Sequence, residues 1–321
     1  MRIFRPLLAA LLLVSSFAVW SQSYPSKTIR ILVGFTPGGG VDIAARTISG
    51  ELQKALGQPV VIENRPGAGG SLAADLVAKA PADGYTLLMG NTGSVTINPS
   101  ILPKIGYDPL RDFTPIVMIS SSPLVLATHL SLPARTLPEV IALAKKQPGQ
   151  LSFGTSGNGS ISHLTMEMLK TRSGMSLTHI PYKGGSAAIV DLIAEHLPLV
   201  MDGVPLIAPF AQQKKLRALA VTSPMRSPML PEVPTLVELG YPDLLSTAWY
   251  GIMAPAGTPA EVVNTLNRTI NQILTLPSIK ENLASQGSEG LGGTPAFFSE
   301  HLKKEVARWA AAIKESGAKA E

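Results

Sequence analysis

Cysteine is absent from the 321 residues, which excludes disulfides, thiol nucleophiles and cysteine-type zinc sites. Charge is sparse at 15% of residues, and the formal net charge is +5. Arg2 and Arg5 lie in an N-terminal leader, and removing them leaves 5 − 2 = +3. No Lys/Arg run exceeds two residues, so nothing favours a nucleic-acid partner. The signatures of common chemistries are missing as well. The stretch Gly184-Gly185-Ser186-Ala187-Ala188 fails the nucleophile-elbow pattern at its last position. There is no H-E-x-x-H, and the five histidines (129, 163, 179, 196, 301) lack paired ligand spacing. Gly38-Gly39-Gly40 makes neither a Walker loop nor G-x-G-x-x-G. No catalytic residue, cofactor or metal is expected.

Long hydrophobic runs are equally scarce. One extends from Leu7 to Val19, interrupted by Ser15 and Ser16, and is followed by small residues at Ser21 and Ser23. It is shorter than the roughly 20 residues of a membrane span. Charged, apolar and small residues in that order describe a secretory signal peptide over residues 1–23, with cleavage after Ser21 or Ser23. An uncleaved anchor is the alternative. The mature chain is expected to be soluble and exported. With 45% hydrophobic residues it can build a sizeable core.

Strand, loop and helix then alternate. Apolar runs at 29–35, 60–62 and 86–89 read as strands, with amphipathic helices between them. Two further runs, 116–119 and 124–128, precede a second series. It opens with a capping box at Thr136-Leu137-Pro138-Glu139 and continues with strands near 151–154, 178–180, 199–201 and 218–221. A proline-rich link spans 224–234. A strand at 249–254 follows, then a capping box at Thr258-Pro259-Ala260-Glu261 and a helix carrying Phe298, Leu302, Val306, Trp309 and Ile313 on one face, read as core. The pattern predicts an α/β chain with parallel sheets in two lobes. Lobe 1 is expected over 24–124 plus 225–321, with its return boundary between 222 and 248, and lobe 2 over 125–224. The runs at 124–127 and 251–254, each leading through a proline to a capping box, are expected to be two crossings that hinge the lobes around a cleft.

Two glycine-and-hydroxyl loops stand out. Leu151–Ser160 runs from a strand through Ser156, Gly157, Asn158, Gly159 and Ser160 into a helix. Phe35–Asp42 does the same through Gly38, Gly39 and Gly40. Such loops aim backbone N–H groups and the positive end of a helix at one point, an anion cradle that needs no charged side chain. The loop Asn91-Thr92-Gly93-Ser94 also ends a strand, where ligands sit in parallel α/β sheets. Asp42 is either a first-turn acid on the helix dipole or a contact. His163 is more naturally a structural hydrogen-bond partner than a catalyst. Asp202 is a contact or a helix cap. A hydrolase using Ser156 or Ser160 with His163 is an alternative, since Ser160 and His163 share a helix face, but no acid is placed to orient the histidine.

In order along the chain, Tyr24-Pro25-Ser26-Lys27, the 37–42 loop, Glu63-Asn64-Arg65-Pro66-Gly67-Ala68-Gly69-Gly70, Asp83-Gly84-Tyr85-Thr86-Leu87-Leu88, Gly157–Ser160 with His163-Leu164, Pro181-Tyr182-Lys183-Gly184-Gly185, 216–222 and 249–259 resemble one family. It comprises the extracytoplasmic solute receptors of tripartite tricarboxylate transporters, also called the Bug (Bordetella uptake gene) family. Each motif is weak alone; the ordered set is specific and covers the mature chain. The resemblance implies a two-lobed periplasmic binding protein (type 2-like), with two α/β lobes joined by two crossing strands. It also implies a small-carboxylate ligand (a di- or tricarboxylate, an acidic amino acid or an aromatic acid), large and small integral membrane transporter subunits as partners, and a monomer. A sensor presenting its ligand to a membrane kinase uses the same pocket. Carried over by motif, the contacts are Gly38, Gly39, Gly40, Asp42, Asn91, Thr92, Ser94, Ser156, Gly157, Asn158, Gly159, Ser160, His163 and Asp202. The chain departs from the family pattern at Thr36, where a proline is usual, at Val41, where a hydroxyl is usual, and at Met201, where an aromatic is usual. Losing the hydroxyl argues against a polar contact at 41.

Overall fold

The computed structural model describes residues 24–102 and 104–316, the side chains of 315 and 316 excepted. The leader and its cleavage site lie outside these residues. Strand β1 (Ile29–Val33) is buried on both faces except at Arg30, which is why it reads as a continuous apolar run. It turns through glycines into helix α1 (Gly40–Leu56). Val41, Ala44, Ala45, Ile48 and Leu52 bury one stripe of that helix, and Gly57 ends it in the left-handed conformation at φ 64°. Strands β2 (Val60–Asn64) and β3 (Thr86–Asn91) flank β1 in parallel, with helix α2 (Ser71–Ala78) between them in sequence. A π-helical turn over Thr92–Ile97 and a short helix α3 (Asn98–Ile101) follow β3.

The two runs expected at 116–119 and 124–128 form one strand. β4 (Phe113–Thr128) is continuous for 16 residues. Its first part pairs antiparallel with β9 (Thr247–Pro255), from Phe113↔Pro255 to Pro123↔Thr247. Its last part, Leu124–Thr128, pairs with β7 (Leu199–Gly203) and β8 (Arg217–Val221). One strand therefore serves both sheets. β9 also pairs antiparallel with β3, so the first sheet is mixed rather than parallel. In the second lobe β5 (Ser152–Thr155) lies parallel between β7 and β6 (Thr178–Pro181). Helices α4 (Leu137–Lys146), α5 (Ile161–Ser173), α6 (Gly185–Ile193) and α7 (Val204–Gln212) complete that lobe.

After β9 the chain adds α8 (Ala260–Thr275), α9 (Pro277–Ser285), β10 (Glu289–Gly292) and α10 (Pro295–Ser316). β10 pairs antiparallel with β4. The α10 stripe packs inward, with Phe298, Leu302 and Trp309 almost wholly buried. Thr136 caps α4 as its motif predicts, accepting from the Glu139 N–H at 3.4 Å, while the Glu139 carboxylate takes the Arg135 N–H at 2.6 Å. The second capping box does not form. Pro259 is the N-cap of α8, and the Thr258 hydroxyl instead donates to Pro255 O.

Strand β4 is one crossing between the lobes; the return passes through Thr222 and Ser246 rather than through the body of β9. The Thr222 hydroxyl accepts from Leu124 N at 2.8 Å and donates to Ser246 O at 2.5 Å. Its backbone N–H donates to Leu124 O at 3.0 Å, and its carbonyl accepts from Ser246 N at 3.3 Å. Both crossings are thus tied at one residue.

Candidate functional site

The lobes face each other across loops that follow strands. The Thr36 N–H donates to Lys183 O at 3.2 Å. The Thr36 and Ser186 hydroxyls lie 3.1 Å apart, and Ser186 also reaches Pro37 O at 3.2 Å. A methyl group on Gly69 would overlap the Asn158 carbonyl, and one on Gly93 would sit 3.1 Å from Gly159 O. Only glycine permits so close an approach of backbones.

Between the lobes is a cavity of about 30 Å3. Phe35, Gly39, Gly40, Val41 and Asn91 line it from the first lobe. Ser156, Ser160, Ile161, Ser162, Gly185 and Asp202 line it from the second, with Leu124, Ala248 and Tyr250 at the junction. Three helices begin at its wall: α1 is capped by Gly39, α5 by Ser160, and α6 by Gly184. Their first-turn N–H groups and dipoles favour negative charge there. No lysine or arginine is among the lining residues. A chain of hydroxyls joins Ser156, Ser162 and Ser160, with oxygens 3.2 and 3.0 Å apart. The arrangement suits a small anion that also carries apolar carbon.

Asp202 closes the far side. It is the penultimate residue of β7, just before α7, and its Oδ1 accepts from Gly203 N at 2.7 Å. Its Oδ2 is buried without a hydrogen-bond partner. Burial pushes its pKa up to about 6, against the opposing hydrogen bond from Gly203 and the nearby Ser156 hydroxyl, which does not meet Oδ2 in hydrogen-bond geometry. Tyr250 shares this environment, and burial, with the Asp202 charge, raises its pKa too.

A second space of about 190 Å3 adjoins the first, sharing Phe35 and Ser156. It is lined by Gly34, Gly67–Gly70, Gly157, Asn158 and Pro181–Lys183. The residues expected to touch ligand are therefore divided. Gly39, Gly40, Asn91, Ser156, Ser160 and Asp202 line the inner cavity, and Gly157 and Asn158 the outer space. The others hold the loops. Asp42 Oδ2 accepts from Gly38 N at 2.9 Å and Arg46 Nε at 2.8 Å, and Oδ1 from Asn64 at 2.9 Å. Gly38 is exposed beside it. Ser94 bonds Asn91 Oδ1, and Thr92 takes the Trp249 N–H at 3.0 Å. Gly159 adopts φ 73° and donates to His163 Nδ1 at 3.3 Å. His163 stacks on His179 with ring centroids 4.1 Å apart. The Ser160 hydroxyl accepts the His163 backbone N–H, and Glu167 lies 3.9 Å from the imidazole Nε2. That is a cap and a packed ring, not a nucleophile with its base.

Tyr250, Gly185, Ile161, Ser162, Ala248, Leu124, Phe35 and Val41 also line the inner cavity and are not among the contacts expected from sequence. Val41 contributes carbon where a hydroxyl was expected to be missed. For Gly185 a signal existed, since Gly184-Gly185 also follows a strand and opens a helix.

The chain is similar to several known proteins. A family model described as tripartite tricarboxylate transporter family receptor matches residues 44–318. Protein BugT of Bordetella pertussis is 39% identical over 302 residues, covering 94% of this chain and 93% of that one. The solved periplasmic binding protein BugD superposes with TM-score 0.89 at 33% identity, over 92% of this chain and 99% of that one. An R. palustris protein solved with adipate gives TM-score 0.88 at 38% identity, over 92% and 98%. MatC from Rhodopseudomonas palustris, with bound malate, gives 0.86 at 31%, over 90% and 100%.

Proposed function

The chain belongs to the tripartite tricarboxylate transporter receptor family and is a solute-binding protein, not an enzyme; from that premise we propose that it captures a small carboxylate between its lobes and delivers it to the membrane subunits of such a transporter. The observation that carries this reading is the convergence of three helix N-termini on a cavity with no cationic side chain. Backbone dipoles suit a compact carboxylate, and the apolar wall of Phe35, Val41 and Ile161 suits its carbon chain. Adipate and malate, found in the two relatives, are the natural first probes. Lobe 1 is assigned to residues 24–124 with 225–321 and lobe 2 to 125–224, the return boundary falling between 222 and 248. The receptor works as a monomer in the periplasm after loss of residues 1–23. Among the described residues no helix is long and apolar enough to cross a membrane.

Thermal unfolding against a panel of carboxylates tests the reading. A ligand at 100 times its Kd is expected to add about 2.7 kcal/mol of stability. If no acid in the panel raises Tm, the carboxylate assignment is wrong.

A further inference from the structure

Among the polar side chains of the inner cavity, Asp202 is the one with charge to bring, and it has the sign of the ligand. Its Oδ2 is wholly buried and has no hydrogen-bond partner, while Oδ1 is engaged by the start of α7. Opposite stands Gly185, the first residue of α6, where a side chain would collide with Oδ2. The elements packed around the carboxyl supply no countercharge. β4 presents Leu124 and Val125, α5 presents Ile161 and Ser162, α6 presents Gly185, and α7 presents Leu206. β9 presents Tyr250, the one titratable group facing it among the described residues, which carries no positive charge.

We propose that Asp202 meets the captured acid as a carboxylic acid, donating its Oδ2 proton to a ligand oxygen, so that each carboxylate enters the cleft together with one proton. This rests on the carboxylate reading of the site. The helix N-termini stabilise one anion, and the ligand takes that place. A second carboxylate in the same low-dielectric space costs more than protonating it. The proton comes from solvent and returns there on release, and no bond other than O–H is made or broken. Burial already raises the Asp202 pKa to about 6. A ligand anion nearby raises it further. Capture is therefore strongest at low pH. It weakens by about tenfold per pH unit above the pKa of the free receptor, and levels off above the pKa of the complex.

The test is titration calorimetry of the mature chain with adipate and malate at about pH 8, where both probes are fully ionised, in two buffers of different ionisation heat. Proton uptake approaching one per ligand is expected, together with an affinity that rises towards about pH 6. Asp202→Asn keeps a neutral donor at this place, and is expected to abolish the uptake and flatten the pH dependence. Binding without uptake in the wild type, or uptake that survives in Asp202→Asn, overturns the assignment and leaves the carboxylate reading standing. If no acid in the panel binds at either pH, the carboxylate reading itself fails and the proton coupling with it. Should Asp202→Asn not fold, the wild-type uptake decides alone.

Discussion

Gly39 and Gly40 are neighbours, yet they are glycine for different reasons. Gly39 has φ −79° and ψ 164°, which any residue adopts, and a methyl group there would lie in ordinary contact with Thr36 O at 3.5 Å. Its missing side chain serves the cavity it lines. Gly39→Val is therefore expected to lose no more than about 1 kcal/mol in unfolding by denaturant, through a poorer helix cap, while removing ligand binding; binding that survives would mean the ligand does not approach this backbone. At Gly40 a methyl group would stand 2.5 Å from the Tyr250 hydroxyl. Gly40→Ala is expected to lose about 1–3 kcal/mol through that overlap. Adding Tyr250→Phe removes the colliding oxygen, so the double variant should recover part of the loss. Simple additivity in the double-mutant cycle would contradict the contact. The difference also shows what a sequence reveals at this scale. The glycine run after β1 identifies a loop, because backbone freedom is a local property. That Tyr250, 210 residues later, faces Gly40 follows from β9 joining the sheet on the far side of β3 from β1, and no local pattern encodes it.

At the scale of elements, side chains expected as ligand contacts also fasten loops to helix starts. Asp42 ties the glycine loop to α1 and β2. Burial raises its pKa, but the hydrogen bond from Arg46, with those from Gly38 and Asn64, outweighs it and holds the carboxyl below its usual value. A lowered folded-state pKa gives stability that is present above the unfolded carboxyl value of about 4 and lost as pH falls through the folded value. Wild type should thus exceed Asp42→Asn by about 1–2 kcal/mol at neutral pH. The gap should close in acid, as followed by urea melts across pH; a constant gap would remove the charge from the explanation. Ser160 is a cap of the same kind. Ser160→Ala is expected to lose about 1 kcal/mol and to weaken ligand binding, whereas Thr136→Ala on α4 should lose a similar amount with binding unchanged. The Thr136 cap was readable in sequence because its motif is four residues long, whereas the matching motif at Thr258 caps nothing and Ser160 caps its helix without the motif. β4 was not readable. Its serines at 120–122 and Pro123 look like a break between two runs, but the proline sits where the strand leaves β9 for β7, and Ser120 and Ser122 are buried.

For the molecule as a whole, function depends on how the two lobes trade contact for separation. The tie at Thr222 holds both crossings together, and in the proposed receptor it is the place about which the lobes would swing. Away from it, the Thr36–Ser186 pair and the Thr36 N–H bond to Lys183 O join the rims. These bonds exist only when the lobes touch. The hydroxyl pair contributes about 1 kcal/mol, given its partial exposure, which is about fivefold in the closing equilibrium. Ser186→Ala, which lines neither space, removes both bonds of that hydroxyl. Thr36→Val removes its partner while keeping the backbone N–H. Both variants should release ligand several-fold faster in stopped-flow measurements, with the association rate little changed, because the closed form alone loses interactions. Since the two hydroxyls share one bond, the double variant should release ligand little faster than Ser186→Ala alone. Full additivity would mean the hydroxyls act separately, and an unchanged release rate would mean the rim contacts do not hold the receptor shut.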